Sequence, residues 1–132
     1  MATPHILLDT SPIIAHMRKK IDLAGILPDG CLIFTSLFTA GKLEKGIHQA
    51  DHPEKERVKV DSFLKNIAII LPDEATAKAY GRIYHDLDSR GQRIPENDTW
   101  IAAVALEGGM KLATGDAHFS RIDGLDVLRL AW

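Results

Sequence analysis

Three aspartates in this chain stand where their carboxylates can meet and bind a metal ion. Asp9 follows the apolar run His5–Leu8, Asp116 comes shortly after a second apolar run at residues 110–113, and Asp98 precedes that second run. Carboxylates that converge repel one another unless a cation lies among them, and oxygen ligands of this kind suit Mg²⁺ or Mn²⁺. An ion bound there can activate water and stabilise charge during cleavage of a phosphodiester.

The elements around these aspartates explain how they can converge. The carboxyl ends of parallel strands share one edge of a sheet, so Asp9 and Asp116 are expected to meet there. Asp98 lies in the first turn of a helix that Pro95 opens, where an aspartate is explained equally well as a capping residue. Hydroxyl groups that could orient the carboxylates or water follow close by in sequence. They belong to Thr10, Ser11 and Thr114.

The composition is that of an ordinary globular protein, with 45% hydrophobic and 26% charged residues in 132. We expect a single domain, residues 1–132. The formal net charge of -2 gives no overall basic field for nucleic acid, although a local basic patch is compatible with it. The single cysteine cannot form an internal disulfide, and no apolar run reaches the length of a membrane helix. We therefore expect a cytoplasmic protein without a membrane anchor.

Apolar runs alternate with helical patterns along the chain. Strands are predicted at residues 5–8, 31–34, 67–71, 110–113 and 127–130, and helices at about 11–20, 37–48, 57–65, 73–90 and 95–107. Ser11 is the expected N-cap of the first helix and Val58 a buried residue of the third. The alternation predicts a three-layer α/β fold with a central parallel sheet of about five strands.

Other polar residues allow weaker predictions. The six histidines lack paired ligand spacing, so we interpret them, His118 included, as structural or surface residues rather than zinc ligands. Trp100 is expected to pack rather than to stack on a base. Three cations near the acidic residues could hold RNA phosphates. These are Arg90, Arg93 and Lys111.

The segments ILLDTSPII, ENDTWIAAVALEGGMKLATGDAHF and IDGLDVLRL together resemble a PIN-domain protein of the VapC toxin type, over nearly the whole chain. The resemblance implies a Rossmann-like PIN fold and a Mg²⁺-dependent endoribonuclease that arrests translation. It also implies a homodimer inhibited by a cognate VapB-type antitoxin, with an apolar groove beside the first helices for an amphipathic antitoxin segment.

By this resemblance, Asp9, Asp98 and Asp116 match the first, third and fourth acids of the family. Asn97 and Thr114 match the polar companions of those acids. Thr114 is therefore predicted to be catalytic together with the three aspartates, and the aspartates are the predicted metal ligands.

The second family acid is missing. The family has a glutamate four residues before the glycine of a motif like TxxELxxG, and TAGKLEKG puts Lys42 at that position. Glu44 is no substitute, because two positions along a helix point about 200° apart. We expect the Lys42 ammonium to repel a metal ion or to pair with Asp9 and Asp98 in its place. It is either a natural departure from the family or a deliberate inactivating substitution.

Two other functions remain open. A catalytically silent PIN domain would act by binding an antitoxin or another protein, with Lys42 as its signature. A phosphoacceptor receiver domain of similar size would need paired acids after the first strand and an acceptor aspartate after the third. Only Asp9 follows the first strand, and Pro72 follows the third, which disfavours a receiver.

Overall fold

The fold is built around five parallel strands, as the sequence predicts. The computed structural model describes residues 3–132. The strands are β1 His5–Leu8, β2 Leu32–Ser36, β3 Ala68–Ile70, β4 Lys111–Thr114 and β5 Val127–Arg129. The helices are α1 Thr10–Met17, α2 Leu23–Ile26, α3 Leu37–Gln49, α4 Pro53–Leu64, α5 Glu74–Ser89 and α6 Glu96–Glu107, with a 3₁₀ helix at Ala117–Arg121.

The sheet order is β3-β2-β1-β4-β5, which puts β1 at the centre. Leu8 aligns with Thr35 of β2 on one side and with Ala113 of β4 on the other. The residues that follow Leu8, Thr35 and Ala113 therefore lie at the same edge of the sheet, its carboxyl edge. Asp9 and the segment after β4 share that edge.

Alternation along β1 separates two apolar layers. Leu7 packs into a cluster with residues of α5 and α6, whereas Ile6 and Leu8 point to the opposite face, which α1, α3 and α4 cover. Successive side chains of a strand point to opposite faces of the sheet, so a strand covered on both sides reads as a continuous apolar run. This is the predicted three-layer α/β architecture.

Helix α6 is buried over most of its surface. Its residues from Ile101 to Ala105 are all buried, as a helix that is apolar all round requires. Trp100 packs as predicted, stacking on Tyr80 with ring centroids 3.9 Å apart and on Phe38 at 5.3 Å. The burial of α6 extends into its first turn, where Asp98 is buried as well.

Three local predictions were wrong. Helix α1 begins at Thr10 with Asp9 as its N-cap residue, not at Ser11. Helix α4 begins at Pro53, and its buried residue is Val60, whereas Val58 is 65% exposed. The four-residue helix α2 was not predicted, because so short a segment carries no helical period. No helix among residues 3–132 has the length and apolar character needed to cross a membrane.

Candidate metal centre

Thr114 joins the ends of β1 and β4. Its hydroxyl donates a hydrogen bond of 2.8 Å to Asp9 Oδ2, and its Oγ1 accepts one of 3.0 Å from the backbone N–H of Asp116. The Asp9 backbone N–H donates to the carbonyl of Ala113 at 2.9 Å. One buried threonine thus fixes the positions of two of the three predicted acids.

Ser11 adds a second link across the same edge. Its hydroxyl oxygen accepts a 3.0 Å hydrogen bond from the backbone N–H of Gly115. The Gly115 Cα lies against the indole of Trp132, since a Cβ at this position would come within 2.5 Å of the ring. Ser11 therefore holds the loop of Asp116 rather than capping α1, which explains why the predicted N-cap was wrong.

Asp98 is buried and contacts two basic side chains. Only 5% of Asp98 is exposed. Its Oδ2 lies 2.8 Å from Nε2 of His118, at an angle outside hydrogen-bond geometry, and its Oδ1 lies 3.4 Å from Nζ of Lys42. The pair with His118 is ionic when the imidazole is protonated. A buried carboxylate needs such partners, because loss of water disfavours its charged form.

Asp98, Asp116 and His118 form a group that could bind a metal ion. One ligand atom from each lies within 4.8 Å of the other two. Two carboxylate oxygens and an imidazole nitrogen are donors that Mn²⁺ accepts, and the carboxylates suit Mg²⁺ as well. The predicted pair Asp98 and Asp116 therefore does come together. His118, interpreted from sequence as structural or surface, lies with them, and its only sequence signal was its position two residues after Asp116.

Asp9 lies beside this group and is not one of its three members. Asp9 is 1% exposed, and its Oδ1 has no hydrogen-bond partner among the described residues. Burial raises the pKa of Asp9, and the Asp98 charge acts in the same direction, while the hydrogen bond from Thr114 and the Lys42 charge act against them. A buried carboxylate oxygen without a partner fits a cation nearby. The residues present therefore fit a divalent ion.

Lys42 pairs with Asp98, one of the two acids expected as its partners, whereas Glu44 lies apart from the acids. Both carboxylate oxygens of Glu44 accept hydrogen bonds from the guanidinium of Arg57, at 2.6 and 2.8 Å. Glu44 thus belongs to the contact between α3 and α4. Lys42 therefore brings a positive charge beside Asp98, at the position where the sequence resemblance led us to expect a glutamate.

Asn97 and the three predicted cations are not members of this group of side chains. Asn97 is exposed in the first turn of α6. Arg90 pairs with Asp86 at 2.7 Å, and Arg93 lies near Asp88 at 3.5 Å. Lys111 begins β4, at the edge of the sheet opposite the acids. Lys111 is at the amino end of β4, whereas the acids lie at the carboxyl edge of the sheet, so Lys111 is not near the site.

The sequence itself assigns the chain to a family. Residues 6–125 match the family model of the PIN domain. The chain belongs to the PIN domain family. A receiver domain is thereby excluded, and the three-layer sheet with acids at its carboxyl edge is the PIN fold in this chain.

Relatives of this PIN domain resemble it over almost their full length. Ribonuclease VapC1 of Rickettsia felis is 31% identical over 131 residues, covering 96% of each chain. Ribonuclease VapC4 of Mycobacterium tuberculosis is 29% identical over 129 residues, covering 94% of this chain and 95% of the relative. The structure of VapBC2 from Rickettsia felis bound to a DNA fragment from their promoter superposes with a TM-score of 0.89 at 24% identity, over 96% of this chain and 99% of that one.

Proposed function

We propose that this chain is a metal-dependent endoribonuclease toxin that cleaves RNA at the cluster of Asp9, Asp98 and Asp116 and so arrests translation in the cytoplasm. The observation that carries the proposal is the convergence of the buried Asp9 and Asp98 and the half-buried Asp116 at the carboxyl edge of a PIN sheet. Relatives that cover nearly the whole chain bear the name ribonuclease. We assign Mg²⁺ or Mn²⁺ as the ion and the three aspartates as its ligands.

The chain's own residues would prepare this site in two ways. Thr114 holds the Asp9 carboxylate and the backbone of Asp116 at once, so that both acids keep their places when RNA binds. His118 lies against Asp98 and can fix its orientation. A divalent ion, when bound, supplies positive charge at the reacting phosphate and makes water a better nucleophile.

A VapB-type antitoxin is the proposed partner. A cavity of about 1030 Å³ opens between α1, α2 and α4, lined by apolar side chains that include Met17, Leu23 and Phe63. Lys20 and Lys59 line the same cavity. An amphipathic segment with acidic residues beside its apolar face matches this lining. Solved structures that superpose on this chain are VapBC complexes. We further propose that the toxin is a homodimer.

The proposed activity is tested by RNA cleavage with and without Mg²⁺. Wild type, Lys42→Glu and the double variant Lys42→Glu/Asp98→Asn are compared on the same RNA. We expect Mg²⁺-dependent cleavage by Lys42→Glu, and its loss in the double variant because a charged ligand is removed. An equal rate in both variants would contradict the role of Asp98.

A second candidate function is that of a silent PIN domain that acts by binding protein alone. The contact of Lys42 with Asp98 favours it, because an ammonium already neutralises part of the acidic cluster. Such a protein binds an antitoxin peptide but neither metal nor RNA. Calorimetric titration with Mg²⁺ separates the two functions, because the peptide should bind in both cases and the ion only in the ribonuclease.

A further inference from the structure

Lys42 brings a positive charge into the acidic cluster from helix α3. Its Nζ lies 3.4 Å from Oδ1 of Asp98, and the Lys42 side chain is 35% exposed while that of Asp98 is 7% exposed. The pair is thus only partly screened by water, and its attraction is stronger than that of a surface ion pair. Asp98 keeps a compensating charge without any ion from solution.

The charges around Lys42 favour its contact with Asp98 over a position inside a neighbouring cavity. Lys42 also lines a cavity of about 350 Å³ between α1, α3 and α4. Arg18 and Lys59 line it, and the acid among its lining residues is Glu56. Two cations repel an ammonium that moves into this cavity, whereas the carboxylates at the sheet edge attract it. Both environments therefore direct Lys42 toward Asp98.

We propose that Lys42 is an internal counter-cation that stabilises the metal-free site and competes with a divalent ion for Asp98. The inference rests on the proposed function and describes the regulation of its site. A metal ion that binds Asp98 must approach the ammonium or displace it toward the cavity with Arg18 and Lys59. Metal occupancy, and with it cleavage, is therefore set by how firmly Lys42 is held.

The first test measures the metal-free protein. Wild type, Lys42→Gln and Lys42→Glu are unfolded by heat in EDTA, with Lys45→Gln and Lys45→Glu as matched controls. Lys45 lies on the same helix and is exposed. We expect the Tm to fall from wild type to Lys42→Gln and again to Lys42→Glu, because the acids lose their counter-charge and then gain a like charge. The Lys45 variants should keep the Tm of wild type.

The second test measures the affinity for Mn²⁺ by calorimetry. We expect Lys42→Glu to bind Mn²⁺ at least about tenfold more tightly than wild type, in the range of effects that residues around a metal site have on its affinity. Lys42→Gln should lie between them, and Lys45→Glu should match wild type. Mn²⁺ should also raise the Tm of Lys42→Glu more than that of wild type.

The results that overturn the inference differ from those that overturn the proposed function. Equal Mn²⁺ affinity in wild type and both Lys42 variants, or an unchanged Tm of Lys42→Gln in EDTA, refutes the internal counter-cation. If Lys42→Glu binds Mn²⁺ tightly but leaves RNA intact, the ribonuclease proposal fails and the inference stands.

Discussion

Replacing Asp9 with asparagine should stabilise the metal-free protein. Asp9 is 1% exposed, and its Oδ1 has no hydrogen-bond partner among the described residues. Burial of a carboxylate costs several kcal/mol, which the hydrogen bond from Thr114 offsets by about 1.5–3 kcal/mol. Asparagine keeps an acceptor for Thr114 and removes the buried charge. We expect a net gain of about 1–2 kcal/mol, or about 3–8 °C in Tm.

The gain in stability from Asp9→Asn should be larger at high pH than at low pH. Burial raises the pKa of Asp9 above its ordinary value of 3.8, so the folded protein binds more protons than the unfolded chain between the two values. The stability of wild type therefore falls as pH rises through this window. The advantage of Asp9→Asn should be full above the raised pKa and absent below 3.8.

Thermal unfolding in EDTA across a pH series measures this effect. The exposed Asp51→Asn serves as the control for a change of net charge and should leave the Tm unchanged. Adding Mn²⁺ at about 100 times its dissociation constant should stabilise wild type by about 2.7 kcal/mol and Asp9→Asn far less. A Tm of Asp9→Asn below that of wild type at pH 8 in EDTA would refute the argument from charge burial.

Three further substitutions test a contact of the Asp116 loop, the burial of the 3₁₀ helix and an ion pair between α3 and α4. Gly115→Ala should cost no more than about 1 kcal/mol in urea unfolding, because its Cβ would come within 2.5 Å of the Trp132 ring and this half-exposed side chain can turn aside. In a Trp132→Ala background the cost should disappear, and an unchanged cost would rule out this contact. Phe119→Ala should cost about 3–5 kcal/mol, since Phe119 is fully buried; a loss below 1 kcal/mol would contradict its place in the core. Glu44→Gln should lower the Tm at pH 7, because hydrogen bonds from Arg57 lower the pKa of Glu44, and the difference should vanish as pH falls below that pKa; a difference that persists in acid would argue against the ion pair.

The alternation of apolar runs and helical patterns was sufficient to predict the parallel sheet and the proximity of residues at its carboxyl edge. His5–Leu8 is β1 as predicted, and Asp9 follows it at the carboxyl edge. Apolar runs that alternate with helical periods leave few topologies, because crossovers between parallel strands are right-handed. Asp98 lies in the N-terminal turn of α6, as the sequence predicted, and the burial of this apolar helix keeps that aspartate inside the fold.

The details of the site depended on contacts that the sequence does not encode locally. His118 reaches Asp98 because the chain forms a 3₁₀ helix, Ala117–Arg121, directly after Asp116. The double hydrogen bond of Thr114 depends on the register of β4 against β1. Lys42 was singled out only through the family resemblance, since a lysine in an amphipathic helix is otherwise an ordinary surface residue.

The structure explains how this PIN domain keeps its fold with the Lys42 ammonium beside a buried carboxylate. A buried Asp98 is tolerated when a cation lies beside it, and the Lys42 ammonium provides that charge as an ion would. Stability of the fold and occupancy by metal are thus separable properties of this site. A change that favours the metal-free fold, such as lysine at position 42, acts against metal binding because both cations use the same carboxylate. We therefore expect metal affinity and metal-free Tm to change in opposite directions across substitutions at position 42.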